Sequence, residues 1–219
     1  MKKLIRYFPF WNNLNKEEQD LLKSNITEHK YKKGDNVAEG GVCKSLLFVE
    51  HGKLRVYTIS EDGREITLYR LFDYDLCILS SSELFNSITF DIRVDAQEDS
   101  TIWRIPVEIY KNLMSTNLKV AAYTNEIMAD KFSEVMWLVD QVLNKKMDQR
   151  IAMFLLEESQ YKGNTTIEIT HDQIARHLGT AREVVGRLVK YLQKEGAINS
   201  ARGKVVIENI ETLAKIAGQ

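Results

Sequence analysis

Arg182, Glu183 and Arg187 are the residues of this 219-residue chain whose types and spacing carry the most specific chemistry. An arginine guanidinium donates two parallel hydrogen bonds to O6 and N7 of guanine, and a carboxylate accepts from the N4 amino group of cytosine. On a helix, residues i and i+4 stand one above the other, so Arg187 projects with Glu183 and its neighbour Arg182 from the same edge. The three side chains also suit a plain solvated helix start, with Glu183 and Arg187 as an i,i+4 ion pair. Their setting favours base reading: ITHDQIARHLGTAREVVGRLVKYLQKEGAI, from Ile169 to Ile198.

That stretch reads as two short helices. Thr170 with Gln173, and Thr180 with Glu183, each fit the capping box in which a hydroxyl and a side chain three residues on exchange bonds with the backbone. Ile174, Ala175 and Leu178 give the first helix a small apolar face, and Gly179 permits a tight turn at its end. Val184, Val185, Leu188, Val189 and Leu192 give the second a stripe at 3.6-residue spacing. Two helices joined by such a turn form the helix-turn-helix pattern, whose second helix enters the major groove of double-stranded DNA. Gly196 closes the second helix, and Ile198 to Ile207 reads as a hairpin turning at Arg202-Gly203-Lys204. A basic hairpin in that place is the wing of a winged helix, with Arg202 and Lys204 set to reach phosphate. Ahead of the pair lie a strand over Thr166 to Ile169 and a helix over Asp148 to Glu158.

Charge is divided along the chain in the same sense. From Lys145 onward twelve basic residues face nine acidic ones, a net of +3, which leaves −4 for the remainder of a chain whose total is −1. A basic C-terminal part on an acidic N-terminal part fits a DNA-binding domain attached to something else. No apolar run approaches the roughly 18 residues that span a bilayer, so no membrane partner is expected. Arg6 and Pro9 interrupt the first apolar residues, which argues against a secretion signal and for a cytoplasmic protein. Cys43 and Cys77 are too few for a disulfide scaffold, a four-cysteine cluster or a self-sufficient zinc site.

The N-terminal half reads as short strands with closely spaced turns from about Tyr31 to Ile105. Lys33-Gly34-Asp35, Gly40-Gly41, His51-Gly52-Lys53 and Glu61-Asp62-Gly63-Arg64 are the turns, and Leu46 to Val49, Leu54 to Ile59, Ile66 to Leu71 and Ile92 to Ala96 the strands. Many short strands of this kind make a sandwich or jelly-roll barrel. A small amphipathic helix over Lys16 to Asn25 precedes them. After Pro106 the period becomes helical, and Ala121, Asn125, Met128, Phe132, Val135, Val139 and Val142 step by four and three. That repeat is a coiled-coil seam and predicts a parallel homodimer, with Asn125 fixing register. Met136, Trp137 and Leu138 offer a second packing face against the chain's own barrel.

Barrel, long helix and winged helix in this order resemble the Crp/Fnr family of bacterial transcription regulators over essentially the whole chain. The most specific likeness is Thr180-Ala181-Arg182-Glu183-Val184-Val185-Gly186-Arg187, similar to the family's recognition-helix pattern R-E-x-V-x-R. The resemblance implies an α+β fold: a jelly-roll β-barrel sensor over 1–116, a dimerisation helix over 117–144 and a winged helix-turn-helix over 145–219. It also implies a non-enzymatic homodimer on a palindromic operator with TGTGA-like half-sites, with RNA polymerase as protein partner. Arg182 would lie on a guanine and Glu183 on a cytosine of the opposite strand, with Thr170, Thr180 and Arg202 on phosphate.

The departures bear on the effector. Cyclic-nucleotide-binding members carry P-G-D-x-x-G-E-L and later R-S/T-A, whereas this chain has Phe72-Asp73-Tyr74-Asp75-Leu76-Cys77-Ile78-Leu79-Ser80, with Phe90 near the expected arginine. Aliphatic Ile78 and Leu79 cannot accept from a ribose hydroxyl, and a buried cyclic phosphate would lack its counter-charge. The long-helix positions that would meet the base are Val135 and Met136, both apolar. The effector pocket is therefore expected at Cys77, Ile78, Leu79, Phe90, Val135 and Met136, without a cyclic AMP response, and the residues name no cofactor. Competing readings are a thiol-based redox protein using Cys43 or Cys77, a haem-bound gas sensor with His29 or His51 as ligand, and constitutive DNA binding.

Overall fold

The computed structural model describes residues 7–39, 44–80, 84 and 92–218. Gly40, Gly41, Cys43 and Phe90, named above, lie outside the described residues. The chain divides into two compact units, one of Met1–Thr58 and Leu68–Val135, the other of Ile59–Thr67 and Met136–Gln219.

Among the described residues the first unit is built on eight short strands, apart from the β4–β5 tip at Ile59–Thr67, which belongs to the second: β1 Thr27–Tyr31, β2 Asn36–Glu39, β3 Ser45–His51, β4 Leu54–Ile59, β5 Glu65–Leu71, β6 Leu76–Cys77, β7 Arg93–Ala96 and β8 Ser100–Pro106. They form two four-stranded sheets, ordered β1-β8-β3-β6 and β2-β7-β4-β5. Every pairing given by register is antiparallel, as in β1 with β8 and β4 with β7. Non-consecutive neighbours within both sheets are what a jelly roll requires, because successive strands alternate between its two sheets.

Strand β3 shows why alternation alone does not describe this barrel. Leu46, Leu47, Phe48 and Val49 are all fully buried, so both faces of the strand are covered. One cover comes from the N-terminal aromatics: Phe8 lies 5.2 Å from the Phe48 ring, and Tyr7 lies 6.3 Å from it. A helix α1, Lys16–Asn25, follows the expected range, with a reciprocal cap between Asn15 and Glu18 at 2.8 Å in each direction.

Helix α2 is Val107–Thr116 and α3 is Leu118–Asn144. They are joined internally by Tyr110, whose fully buried hydroxyl lies 2.9 Å from Thr124 Oγ1; that hydroxyl in turn donates to the Val120 carbonyl at 2.8 Å. The expected seam on α3 is split by the packing. Met128 and Val135 pack on the barrel core, while Asn125, Phe132, Val139 and Val142 are exposed and Ala121 is half-buried. Exposed Met136 and Leu143 continue the outer stripe instead, with Asn125, Ala129, Phe132 and Val139 in a four-and-three progression. A 3.6-residue turn leaves room for one barrel-facing stripe and one outward stripe, and the sequence pattern had merged them.

The second unit contains α4 Met147–Lys162, β9 Thr166–Ile167, α5 His171–Leu178, α6 Arg182–Lys194, β10 Ile198–Ala201, β11 Lys204–Ile207 and α7 Ile210–Ala217. Strand β9 is two residues shorter than expected and pairs with β11, giving a sheet ordered β10-β11-β9. Its core gathers Ile151, Leu155, Ile174, Val185, Val189 and Leu192 with residues of the small sheet and α7. No helix among the described residues is long and apolar enough to cross a membrane.

Burial pushes the Tyr110 hydroxyl up to about 12, the Thr124 hydrogen bond lowering it by a smaller amount. The folded value thus exceeds the unfolded value of about 10, so the stability of the neutral form is full below that pH and is lost as pH rises from there through the folded value. Tyr110→Phe should flatten this alkaline loss by roughly 2–3 kcal/mol, measured by urea unfolding between neutral and strongly alkaline pH. An unchanged alkaline limb would show that Tyr110 does not carry it.

Candidate nucleic-acid interface

The pair of helices begins at Thr170. Its Oγ1 accepts from the Gln173 N–H at 3.2 Å, and Gln173 Oε1 accepts from the Thr170 N–H at 2.8 Å, so the first expected capping box forms. Helix α5 ends at Gly179, whose φ of 68° is the left-handed value glycine supplies without strain. The second expected box does not form. Helix α6 is capped by Ala181, without a side-chain bond, and Thr180 lies one residue too early for its hydroxyl to reach the third helical N–H. Thr180 instead gives its N–H to the Ala175 carbonyl at 3.1 Å, which closes the turn.

Helix α6 separates its two edges cleanly. Val185, Val189 and Leu192 are buried, and Arg182, Glu183 and Arg187 are all exposed. Among the described residues these three have no side-chain hydrogen bond or ion pair, so the i,i+4 pair between Glu183 and Arg187 is not made. Three polar groups held outward and unspent leave their hydrogen-bonding capacity for an outside partner. At Gly186 a Cβ would lie 3.6 Å from His171 Nδ1, an ordinary contact distance.

The wing forms as expected. Strands β10 and β11 pair in antiparallel register from Ile198↔Ile207 to Ala201↔Lys204, with Arg202 and Gly203 at the turn and φ of 75° at Gly203. Thr170, Arg202 and Lys204 are exposed, and Thr180 is half-buried. These side chains belong to the one compact unit that also carries Arg182, Glu183 and Arg187.

Sequence spacing missed the groups that fix the turn from beneath. Arg150 is buried, and its Nη2 donates to the Leu178 carbonyl at 2.9 Å, at the C-terminal end of α5. Burial pulls its guanidinium pKa below the ordinary value. A cation at a helix C-terminus satisfies an orphan carbonyl and meets the negative end of the helix dipole. From the other side Thr67 Oγ1 and His177 Nδ1 lie 2.9 Å apart. No local pattern signals a contact 110 residues long.

The expected effector lining is placed as follows. Cys77, Ile78 and Leu79 are buried, with Cys77 and Ile78 wholly inside the barrel core. Tyr69 Oη lies 3.8 Å from Cys77 Sγ, and burial, then the nearby Cys77, holds the tyrosine pKa well above its usual range. Lys131 Nζ stands 5.0 Å over the Tyr69 ring and bonds Glu134 at 2.6 Å. Val135 is half-buried against this core, but Met136 is 47% exposed and does not line it. Adjacent helical residues point about 100° apart, so only one of the two can face the barrel. His29 and His51 are exposed on strands, His29 Nε2 beside Thr27 Oγ1 at 3.0 Å and His51 Nδ1 beside Asp73 at 3.2 Å. Among the described residues no three of the His, Cys, Asp and Glu side chains are grouped as metal ligands.

Comparison with known proteins places both parts. Residues 28–117 match the cyclic nucleotide-binding domain, and residues 149–216 match the Crp-like helix-turn-helix domain. The fumarate and nitrate reduction regulatory protein of Yersinia pestis is 30% identical over 220 residues, covering 94% of this chain and 84% of its own. The cyclic AMP receptor protein of Thermus thermophilus is 26% identical, covering 95% and 96% respectively. A crystal structure of a transcriptional regulator of the Crp/Fnr family from Eubacterium rectale superposes with a TM-score of 0.94 at 45% identity, covering 98% of this chain and all of that one.

Arg150→Met keeps most of the side-chain volume and leaves the Leu178 carbonyl without this donor. It should destabilise the winged helix by about 1–3 kcal/mol, read as a lower urea midpoint by circular dichroism. A midpoint equal to that of the native chain would remove Arg150 as a structural anchor.

Proposed function

The chain belongs to the Crp/Fnr family of transcription regulators, with a helix-turn-helix DNA-binding domain, and from that premise we propose that it binds an inverted-repeat operator as a homodimer. The observation that carries this reading is the exposed, unpaired edge of α6 formed by Arg182, Glu183 and Arg187. Arg182 reads guanine, Glu183 accepts from cytosine on the opposite strand, and Arg187 extends the base contact, within half-sites similar to TGTGA. Thr170, Thr180, Arg202 and Lys204 contact phosphate and set the register of the helix in the groove. Two such helices related by a two-fold axis require half-sites about one helical turn apart.

The dimer interface is the outward stripe of α3. Phe132 is 66% exposed and Leu143 75% exposed, with Met136 and Val139 between them. Apolar side chains of this size in a row on one helix are the pattern that a partner helix covers.

The effector is a small apolar or weakly polar molecule rather than cyclic AMP. Ile78 and Leu79 are buried and aliphatic where the family's nucleotide cassette has glycine and glutamate. Lys131 is already committed to Glu134 and to the Tyr69 ring. A nucleotide entering there loses water from its ribose and phosphate without regaining equivalent hydrogen bonds.

Selection from random duplex DNA tests the central claim, and an inverted repeat should emerge. Arg182→Ala should then cost about 1–3 kcal/mol per half-site and relax preference at one base pair. Uniform weakening over all sequences would instead make Arg182 a phosphate contact. Phe132→Asp places two carboxylates against each other in an apolar seam, so sedimentation should show a monomer. A persistent dimer would move the interface off this stripe. Calorimetry with cyclic AMP and cyclic GMP should show no binding heat, and micromolar binding of either would overturn the reading of the lining.

A further inference from the structure

The tip of the β4–β5 hairpin, Ile59–Thr67, belongs to the second compact unit, with the winged helix. Ile66 forms an isolated antiparallel bridge with Leu178, the last residue of α5. Thr67 Oγ1 lies 2.9 Å from His177 Nδ1, and the His177 ring packs 5.1 Å from Phe154 of α4. At Gly179 a Cβ would lie 3.2 to 3.4 Å from three carbon atoms of the Ile66 side chain, so the turn has only its glycine's width to spare.

These contacts converge on the segment that decides where α6 begins. Leu178, Gly179, Thr180 and Ala181 link the two helices, and Arg182 follows at once. Leu178 is held by its carbonyl to Arg150 and by its backbone to Ile66. A bidentate arginine–guanine contact tolerates donor–acceptor distances over a window of only about 0.5 Å. A turn free to shift by more than that loses base contacts while keeping most of its attraction to phosphate.

We propose that Ile66 and Thr67 are positioning residues for DNA recognition: they touch no DNA, and they hold the helix-turn-helix turn so that Arg182 meets its base. This rests on the winged-helix reading above. Loss of the contact lowers discrimination between operator and other DNA, and leaves general affinity for duplex DNA in place.

The test uses the full-length chain, with fluorescence anisotropy on the selected operator and on a scrambled duplex of equal length, each over a range of salt. Thr67→Val keeps the shape and removes the hydroxyl, Thr67→Ser restores it, and Ile66→Ala removes the side chain facing Gly179. Thr67→Val and Ile66→Ala should each weaken operator binding about fivefold, the scale of one hydrogen bond or small packing contact, with scrambled-duplex binding and salt slope unchanged. Thr67→Ser should recover native discrimination. In a His177→Phe background, Thr67→Val should cost less than it does in the native chain, since the bond between the two side chains is already gone. Operator binding within twofold of native in both variants overturns the proposal, as does tighter operator binding or an equal loss on both duplexes. A native chain that selects no sequence at all overturns the DNA-binding reading itself.

Discussion

The polar outer edge of α6 exists because the opposite edge is buried, and the geometry of the winged helix follows from that burial. A helix of thirteen residues is marginal alone in water, so its stability comes from the apolar stripe it buries. Val185, Val189 and Leu192 are each about 0 to 1% exposed, and full burial of such side chains is worth roughly 1.5–3 kcal/mol apiece. The stripe also fixes rotation about the helix axis. Turning α6 by one residue would carry a guanidinium into the core and a valine out to water, both unfavourable. The outward set of Arg182, Glu183 and Arg187 is therefore determined by apolar residues that contact nothing outside the protein.

The first unit solves a different problem with comparable means. It packs Ile78, Leu79, Tyr69 and Cys77 into its core, and engages Lys131 with Glu134 and a ring face. The Cys77 thiol is surrounded by core, which slows any reagent that must reach the sulfur through the packed interior. Strand β5 runs without interruption from the segment holding Ile66 and Thr67 to Tyr69 and Leu71 in this core.

Much of this was legible in the sequence because it is local. The α5 cap at Thr170, the Gly179 turn, the wing at Arg202-Gly203 and the α1 range all depend on residues within four positions of one another. The α6 stripe was visible from its period, although the Thr180 box was not made because the helix starts one residue later than the hydroxyl needs. On α3 the repeat of four and three ran two stripes together. Four-and-three spacing cannot separate a barrel-facing Met128 or Val135 from an outward Met136 or Leu143 when both sets are apolar. Strands β1 and β8 carry too many polar residues to stand out as a run, and they are recognised only by pairing with each other and with β3. The contacts that steady the turn, from Arg150 and Thr67, were invisible since neither residue type nor spacing announces a partner so far along the chain.

The double engagement of Thr170 has a consequence for the phosphate contact proposed for it. Besides accepting from Gln173, its hydroxyl lies 3.0 Å from Gln173 Oε1, the same oxygen that takes the Thr170 N–H. The hydroxyl proton thus already has an acceptor in the absence of DNA. Turning that proton toward a phosphate oxygen exchanges a neutral acceptor for a charged one and leaves the cap intact, because the cap uses the oxygen's lone pair. The contact is then a swap whose net gain is the difference between two acceptors, and the helix stays wound while it is made. Serine could perform the same exchange; valine, with nearly the same outline, could neither cap the helix nor hand a proton across.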